Sequence, residues 1–183
     1  MSPSLVVRSG GQTGVDRSAL NVALGMSLSY TGWCPAGGWA EDFPAPPGLL
    51  KDYPMLTETP SRDSRQRTAW NVRDGDATLI VIPTNDFADS AGTSFTRVCA
   101  ELVFVKPLHV SSLDDPASAD DAIEWLRECL RPHERSLVLN VAGPRESESP
   151  GIYERSRRHL VRVLDAILNS PDASNGSSAD KDR

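Results

Sequence analysis

The sequence predicts a three-layer α/β domain built on a mostly parallel sheet. Short apolar runs alternate with segments of helical period along most of its 183 residues. The run ATLIVI at 77–82 is continuously apolar and rich in branched residues, as suits a strand covered on both faces. Glycine-containing loops follow three of the runs, where a strand would turn into a helix. The length fits one domain, expected over residues 1–169.

Leu5, Val6 and Val7 form the first strand, which ends at Ser9, Gly10, Gly11, Gln12, Thr13 and Gly14. Residues 15–24 then carry Val15, Ala19, Leu20, Ala23 and Leu24 at helical spacing, with Asp16 in the first turn and Gly25 as a stop. Residues 32–60 are dense in glycine and proline and read as a long irregular loop able to cover a ligand. Thr59 and Pro60 have the pattern of an N-cap and first helical residue, which predicts a helix over about 61–74. That helix is rich in arginine and lacks an apolar stripe, so something other than the core should contact it.

After the strand at 77–82 come a loop at 83–86 and a helix over about 93–104 opened by Ser90, Gly92, Thr93 and Ser94. A strand at 107–110, an amphipathic helix at 118–131, a strand at 137–141 and a helix at 151–168 complete the pattern. Residues 170–183 are poor in apolar side chains and are expected to be a disordered tail.

A net charge of -6 argues against general affinity for nucleic acid, which needs basic surface. No stretch approaches the roughly 18–20 apolar residues that span a bilayer, so no membrane association is expected. No secretory signal is visible, and Cys34, Cys99 and Cys129 form no CxxC pair, which predicts reduced thiols in a cytoplasmic protein. His109, His133 and His159 share no metal-ligand spacing.

Parallel sheets bind ligands outside the carboxyl ends of their strands. Three loops there suit a phosphate-bearing small molecule: Gly10 to Gly14 with a helix N-terminus behind them, Gly92 with Thr93 and Ser94, and Gly143 with Arg145 and Ser147. The plain alternative is that these glycines only form tight turns. No P-loop ending and no GxGxxG is present. Trp33 and Trp39 read either as packing residues or as platforms for a flat heterocycle, and Asp76 as part of a solvated turn.

SGGQTGVDR at 9–17, GWCPAGGWAED at 32–42, YPMLTETPS at 53–61, QRTAWNVRDGDATLIV at 66–81, GT at 92–93 and LNVAGPRESESPGIY at 139–153 resemble the molybdenum cofactor carrier family. The match covers most of residues 5–168. The resemblance implies a Rossmann-like domain that binds the molybdenum cofactor as a carried ligand and hands it on, with a molybdoenzyme as one conceivable acceptor. It favours Arg67 with Asn71 among the polar residues of the arginine-rich helix, whereas helical spacing groups Arg62, Arg65 and Arg73 in one sector and sets Arg67 apart. The family is similar in turn to phosphoribohydrolases with a PGGxGTxxE motif. Thr96 stands where their catalytic glutamate would be, so the resemblance implies a binding protein more than an enzyme.

A hydrolase acting on a nucleotide or an ADP-ribose-like substrate is the alternative, with Asp16, Asp74 and Glu101 as its available carboxylates. A nucleotide sensor that controls a partner is a third reading. Residues 101–105 are more apolar than a helix end ordinarily is, and are expected to be buried or to form an interface between copies of the chain.

Overall fold

The computed structural model describes residues 4–85, 88, 90–132 and 136–169. The expected tail at 170–183 lies outside them. The elements run β1 (Ser4–Arg8), α1 (Val15–Gly25), β2 (Ser29–Cys34), a 3-10 turn (Gly48–Lys51), β3 (Leu56–Glu58), α2 (Ser64–Asp74), β4 (Ala77–Ile82) and α3 (Ala91–Val98). A π-helical segment (Cys99–Val103), β5 (Leu108–Ser112), α4 (Ser118–Leu130), β6 (Ser136–Ala142) and α5 (Ile152–Leu168) follow.

Six strands form one sheet in the order β3-β2-β1-β6-β4-β5, and every paired neighbour is parallel. The α/β, Rossmann-like architecture is therefore as the sequence predicts. Helices α1, α4 and α5 pack together on one face, and α2 and α3 pack together on the other. The main core lies under the first group and includes Val7, Leu20, Leu79, Leu139, Leu160 and Leu164. A smaller cluster of Val72, Cys99 and Ala100 lies under α2 and α3. β4 is buried at all six positions, which explains its continuous apolar run.

Residues 32–60 differ from the irregular loop that their glycines and prolines predict. The segment holds the end of β2 and all of β3, and Leu49, Tyr53 and Leu56 enter the main core. Gly32 is a strand residue because β1 passes close by: a Cβ there would stand 1.9 Å from the Ser9 carbonyl oxygen. The start of α2 also differs. Thr59 is held to the end of β2, its N–H donating to the Cys34 carbonyl at 2.8 Å and its hydroxyl donating to the Ser61 carbonyl at 2.9 Å. The helix begins only after Asp63, whose side chain accepts from the Arg65 N–H. α3 starts two residues earlier than expected and passes into the π segment after Val98.

Asp76 is more than a solvated turn residue. Its N–H donates to the Val138 carbonyl and its carboxylate accepts from the Val138 N–H, both at 2.8 Å, which seats β6 beside β4. Among the described residues no helix is long and apolar enough to cross a membrane.

Leu49→Ala should cost about 2–5 kcal/mol of stability, the range for emptying a closed apolar site. Met55→Ala, at a side chain 63% exposed, should change it by less than about 0.5 kcal/mol. Chemical denaturation of the two variants checks this; equal small losses would show that the segment merely lies on the surface.

Candidate functional site

β1, β6 and β4 are adjacent and parallel, so the loops after them meet at one edge of the sheet. From β1 the chain moves outward through α1 to β2, and from β4 it moves the other way through α3 to β5. This reversal opens a crevice at the carboxyl ends, the usual place for a ligand in such sheets. The three predicted loops are thereby brought to one place.

Ser9 fixes the first loop by donating its hydroxyl to the Val141 carbonyl at 3.0 Å and its N–H to the Thr31 carbonyl at 3.1 Å. Over Gly10 lies a buried ion pair, with Arg67 Nη1 2.8 Å from Asp16 Oδ2 and side chains only 12% and 5% exposed. A Cβ on Gly10 would stand 2.0 Å from Arg67 Nη1, so only glycine lets the guanidinium cross the loop here. The pair joins α1 on one face to α2 on the other. Burial pushes the Asp16 carboxyl up, against the pull of Arg67, a backbone hydrogen bond from Gln12 and the charge of Arg145. Arg67 Nε is buried and makes no hydrogen bond among the described residues. A narrow recess beside the pair is lined by Thr68, Asn71, Thr96 and Asn140.

The other predicted residues take different places. Gly11 has φ +69, and a Cβ there would point at Leu49, Leu56 and Leu20, so its free side faces the core rather than the crevice. Gln12 is buried, and its side-chain carbonyl oxygen accepts from the N–H groups of Thr13 and Glu41. The Thr13 hydroxyl donates to the Glu41 carboxylate, and the Ser147 hydroxyl donates to its other oxygen at 2.7 Å. Burial opposes the charge on Glu41, but the bonds from Thr13 and Ser147 and the nearby charge of Arg145 outweigh it and hold the carboxyl below its ordinary value. Gly14 packs on Pro144, Arg145 and Glu146, where a side chain has no room.

Gly143 is required by close packing, since a Cβ would stand 2.3 Å from the Val81 carbonyl oxygen. Arg145 makes no ion pair among the described residues, and its N–H donates to the Glu148 carboxylate. The N-terminus of α5 is capped by Glu146, which accepts from the N–H groups of Gly151 and Tyr153. Thus both helix ends on this face carry the chain's own carboxylates, Asp16 on α1 and Glu146 on α5.

The α3 end is different. Ser90 caps it by accepting from the Thr93 N–H, Thr93 is buried, and Gly92 is exposed with open space where a Cβ would stand. Ser94 donates its N–H to the Ser90 carbonyl.

Among the arginines at positions 62–73, Arg67 lines the recess; it is the one that the resemblance, rather than the helical spacing, singles out. Arg62 and Arg65 are exposed, the latter over the Phe95 ring, and Arg73 pairs with Asp74 and lies over Trp70. Asn71 lines the recess but uses its amide on β2, accepting from the Trp33 N–H at 2.8 Å and donating to the Trp33 carbonyl at 2.9 Å. Trp33 packs edge-on against Trp70 and donates its indole N–H to Asp74. Among the three carboxylates open to a hydrolase, Asp16 is in the crevice, Asp74 is held by Trp33 and Arg73, and Glu101 is exposed on the π segment. Thr96 lines the recess, and its hydroxyl donates to the Gly92 carbonyl. Burial, with Glu58 adding, pushes the Cys34 thiol up to about 11, so it is no ready thiolate ligand.

The family model for the circularly permuted YpsA SLOG family matches residues 7–164. The chain belongs to that family. It is also similar to a crystal structure from Syntrophus aciditrophicus SB, a protein provisionally named a molybdenum carrier protein. The two share 34% identity over 89% of this chain and 96% of that one, with a TM-score of 0.72. No curated protein matches the chain. A molybdenum-carrier-like member of the SLOG proteins is what these likenesses support.

Arg67→Ala leaves Asp16 buried without its partner and should cost about 3–5 kcal/mol near neutral pH. An unpaired buried carboxyl titrates above its unfolded value, so the folded variant holds a proton that the unfolded chain releases. The loss relative to wild type should therefore shrink as pH falls toward the ordinary aspartate value. Denaturant titrations of both proteins at several pH values check this, and a loss independent of pH would contradict it.

Proposed function

We propose that the protein binds and carries the molybdenum cofactor, holding its terminal phosphate in the crevice at the carboxyl ends of β1, β6 and β4. The observation that carries this reading is the placement of Arg67 beside the recess, with Arg145 near enough for its charge to act on Asp16. Arg67 keeps a buried Nε without a partner, and Arg145 has no ion pair among the described residues. A planar guanidinium donates paired hydrogen bonds to phosphate or molybdate oxygens, and a crevice with little access to water strengthens them. The similarity to a provisionally named molybdenum carrier supports the choice of ligand.

The chain's residues fit an anionic cargo in three ways. Arg145 supplies a cation on the rim. The α3 N-terminus, with Gly92 unobstructed, supplies backbone donors. Thr13 and Ser147 supply hydroxyls, at present bonded to Glu41. A phosphate using those hydroxyls must displace the Glu41 carboxylate, so Glu41 acts as a stand-in anion that keeps the loops in register. The cofactor, when bound, brings the metal and its dithiolene chemistry; the chain only binds, orients and shields it. Hydrolysis finds less support, because Thr96 offers no carboxylate and its hydroxyl is bonded within α3.

Arg145→Ala should weaken binding of the phosphate-bearing cofactor by about 1.5–3 kcal/mol, the range for hydrogen bonds to charged groups. Glu41→Gln, which removes a competing negative charge, should tighten it, and Arg62→Ala should leave it unchanged. Fluorescence titration of the pterin against the three variants decides this; identical affinities would remove the crevice from consideration.

A further inference from the structure

A second cavity, of about 330 Å³, lies between α4 and α5 beside the carboxyl end of β5. Its wall shares no residue with the recess beside Asp16 and Arg67. The basic side of the wall comes from α5, where Arg155, Arg158, His159 and Arg162 follow at i, i+3, i+4 and i+7 and so share one helix face. The β5–α4 connection and the first turn of α4 add an apolar surface of Leu113, Pro116 and Ala119. Asp115 is the one carboxylate among the lining residues.

The chain's own carboxylates offset this cationic face only in part. Arg155 pairs with Asp114 and Arg162 with Asp120, and both aspartates are exposed, so water competes for each pair and an incoming anion can replace either carboxylate. Arg155 is fixed more firmly, because the same nitrogen donates to the Pro83 carbonyl at 3.1 Å, just after β4. Arg158 makes no ion pair among the described residues. Like charges at this helical spacing repel one another, and an anion between them relieves the repulsion. His159 adds an independent sign. Its Nε2 is buried and has no hydrogen-bond partner among the described residues. A buried polar nitrogen left so is uncommon, and here its ring stands in the wall of a cavity. Burial, with Arg162 and His109 adding, holds the His159 pKa down at about 4, so the ring is neutral near pH 7.

We propose that this cavity is a second binding site, for a small organic phosphate whose phosphate is held by Arg158 and Arg162 and whose carbon skeleton rests on Leu113, Pro116 and Ala119. Planar guanidinium groups donate the paired hydrogen bonds that phosphate oxygens accept. The volume exceeds what a bare phosphate ion fills and falls at the lower end of the range for small organic ligands. The site stands whatever the crevice at β1, β6 and β4 carries.

NMR of the full chain tests this, with adenosine 5′-monophosphate as the probe and adenosine as the control that lacks the phosphate. The chain has three histidines, so the ring signals of His159 are assigned by comparison with His159→Gln. The monophosphate should shift those signals saturably, and adenosine should not. Arg158→Ala, at an exposed side chain, and Arg162→Ala should each weaken the titration by roughly tenfold or more, as for hydrogen bonds to a charged group, with folding checked by circular dichroism. The crevice variant Arg145→Ala should leave it unchanged. No saturable shift with the monophosphate, the same shift with adenosine, or a titration untouched by Arg158→Ala and Arg162→Ala would overturn the proposal.

Discussion

The ion pair between Asp16 and Arg67 is the contact on which the crevice depends. It crosses the carboxyl edge of the sheet and joins two helices that lie on opposite faces. A buried pair of this kind contributes modestly to net stability, because desolvation offsets most of the attraction. Its value is geometric. Either charge alone would be costly in that position, so the two helices are held to one spacing, and Gly10 is restricted to a residue without a side chain.

From that restraint the arrangement of the other groups follows. With α1 fixed, Gly14 packs against 144–146 and draws the β6 loop onto the β1 loop. Glu41 then bridges Thr13 and Ser147, while Glu146 caps α5. The chain satisfies the anion-attracting positions of its β1 and β6 loops with carboxylates, Glu41 and Glu146, whereas the α3 end is capped by Ser90. What it leaves unsatisfied is positive: Arg145 on the rim and the inner nitrogen of Arg67.

How much of this was legible in the sequence depended on the range of the interaction. β4 was readable because burial on both faces leaves an unbroken apolar run, and the three loops were readable because glycine and a following helix are local signals. β2 was not, since Gly32 at a buried position and the apolar Trp33 at a half-exposed one mask its alternation, and β3 has only three residues. Thr59 and Pro60 carried a real start signal but were already held by β2, so Asp63 took the role. Within the site, the inward position of Arg67 came from family resemblance, because its partner is 51 residues away and helical spacing alone favoured other arginines. Glu41 carried no signal in a glycine- and proline-rich stretch; its role arises only where two distant loops converge on it.

Carriage of the molybdenum cofactor stands or falls on the identity of the molecule held in the crevice. Mass spectrometry of small molecules released from protein produced in a molybdenum-replete host tests this most directly, with wild type and Arg145→Ala side by side. A phosphate-bearing pterin released from wild type, and depleted in Arg145→Ala, is the predicted result. A nucleotide in its place, converted to product when added back to the protein, would contradict carriage of the molybdenum cofactor and restore the hydrolase reading.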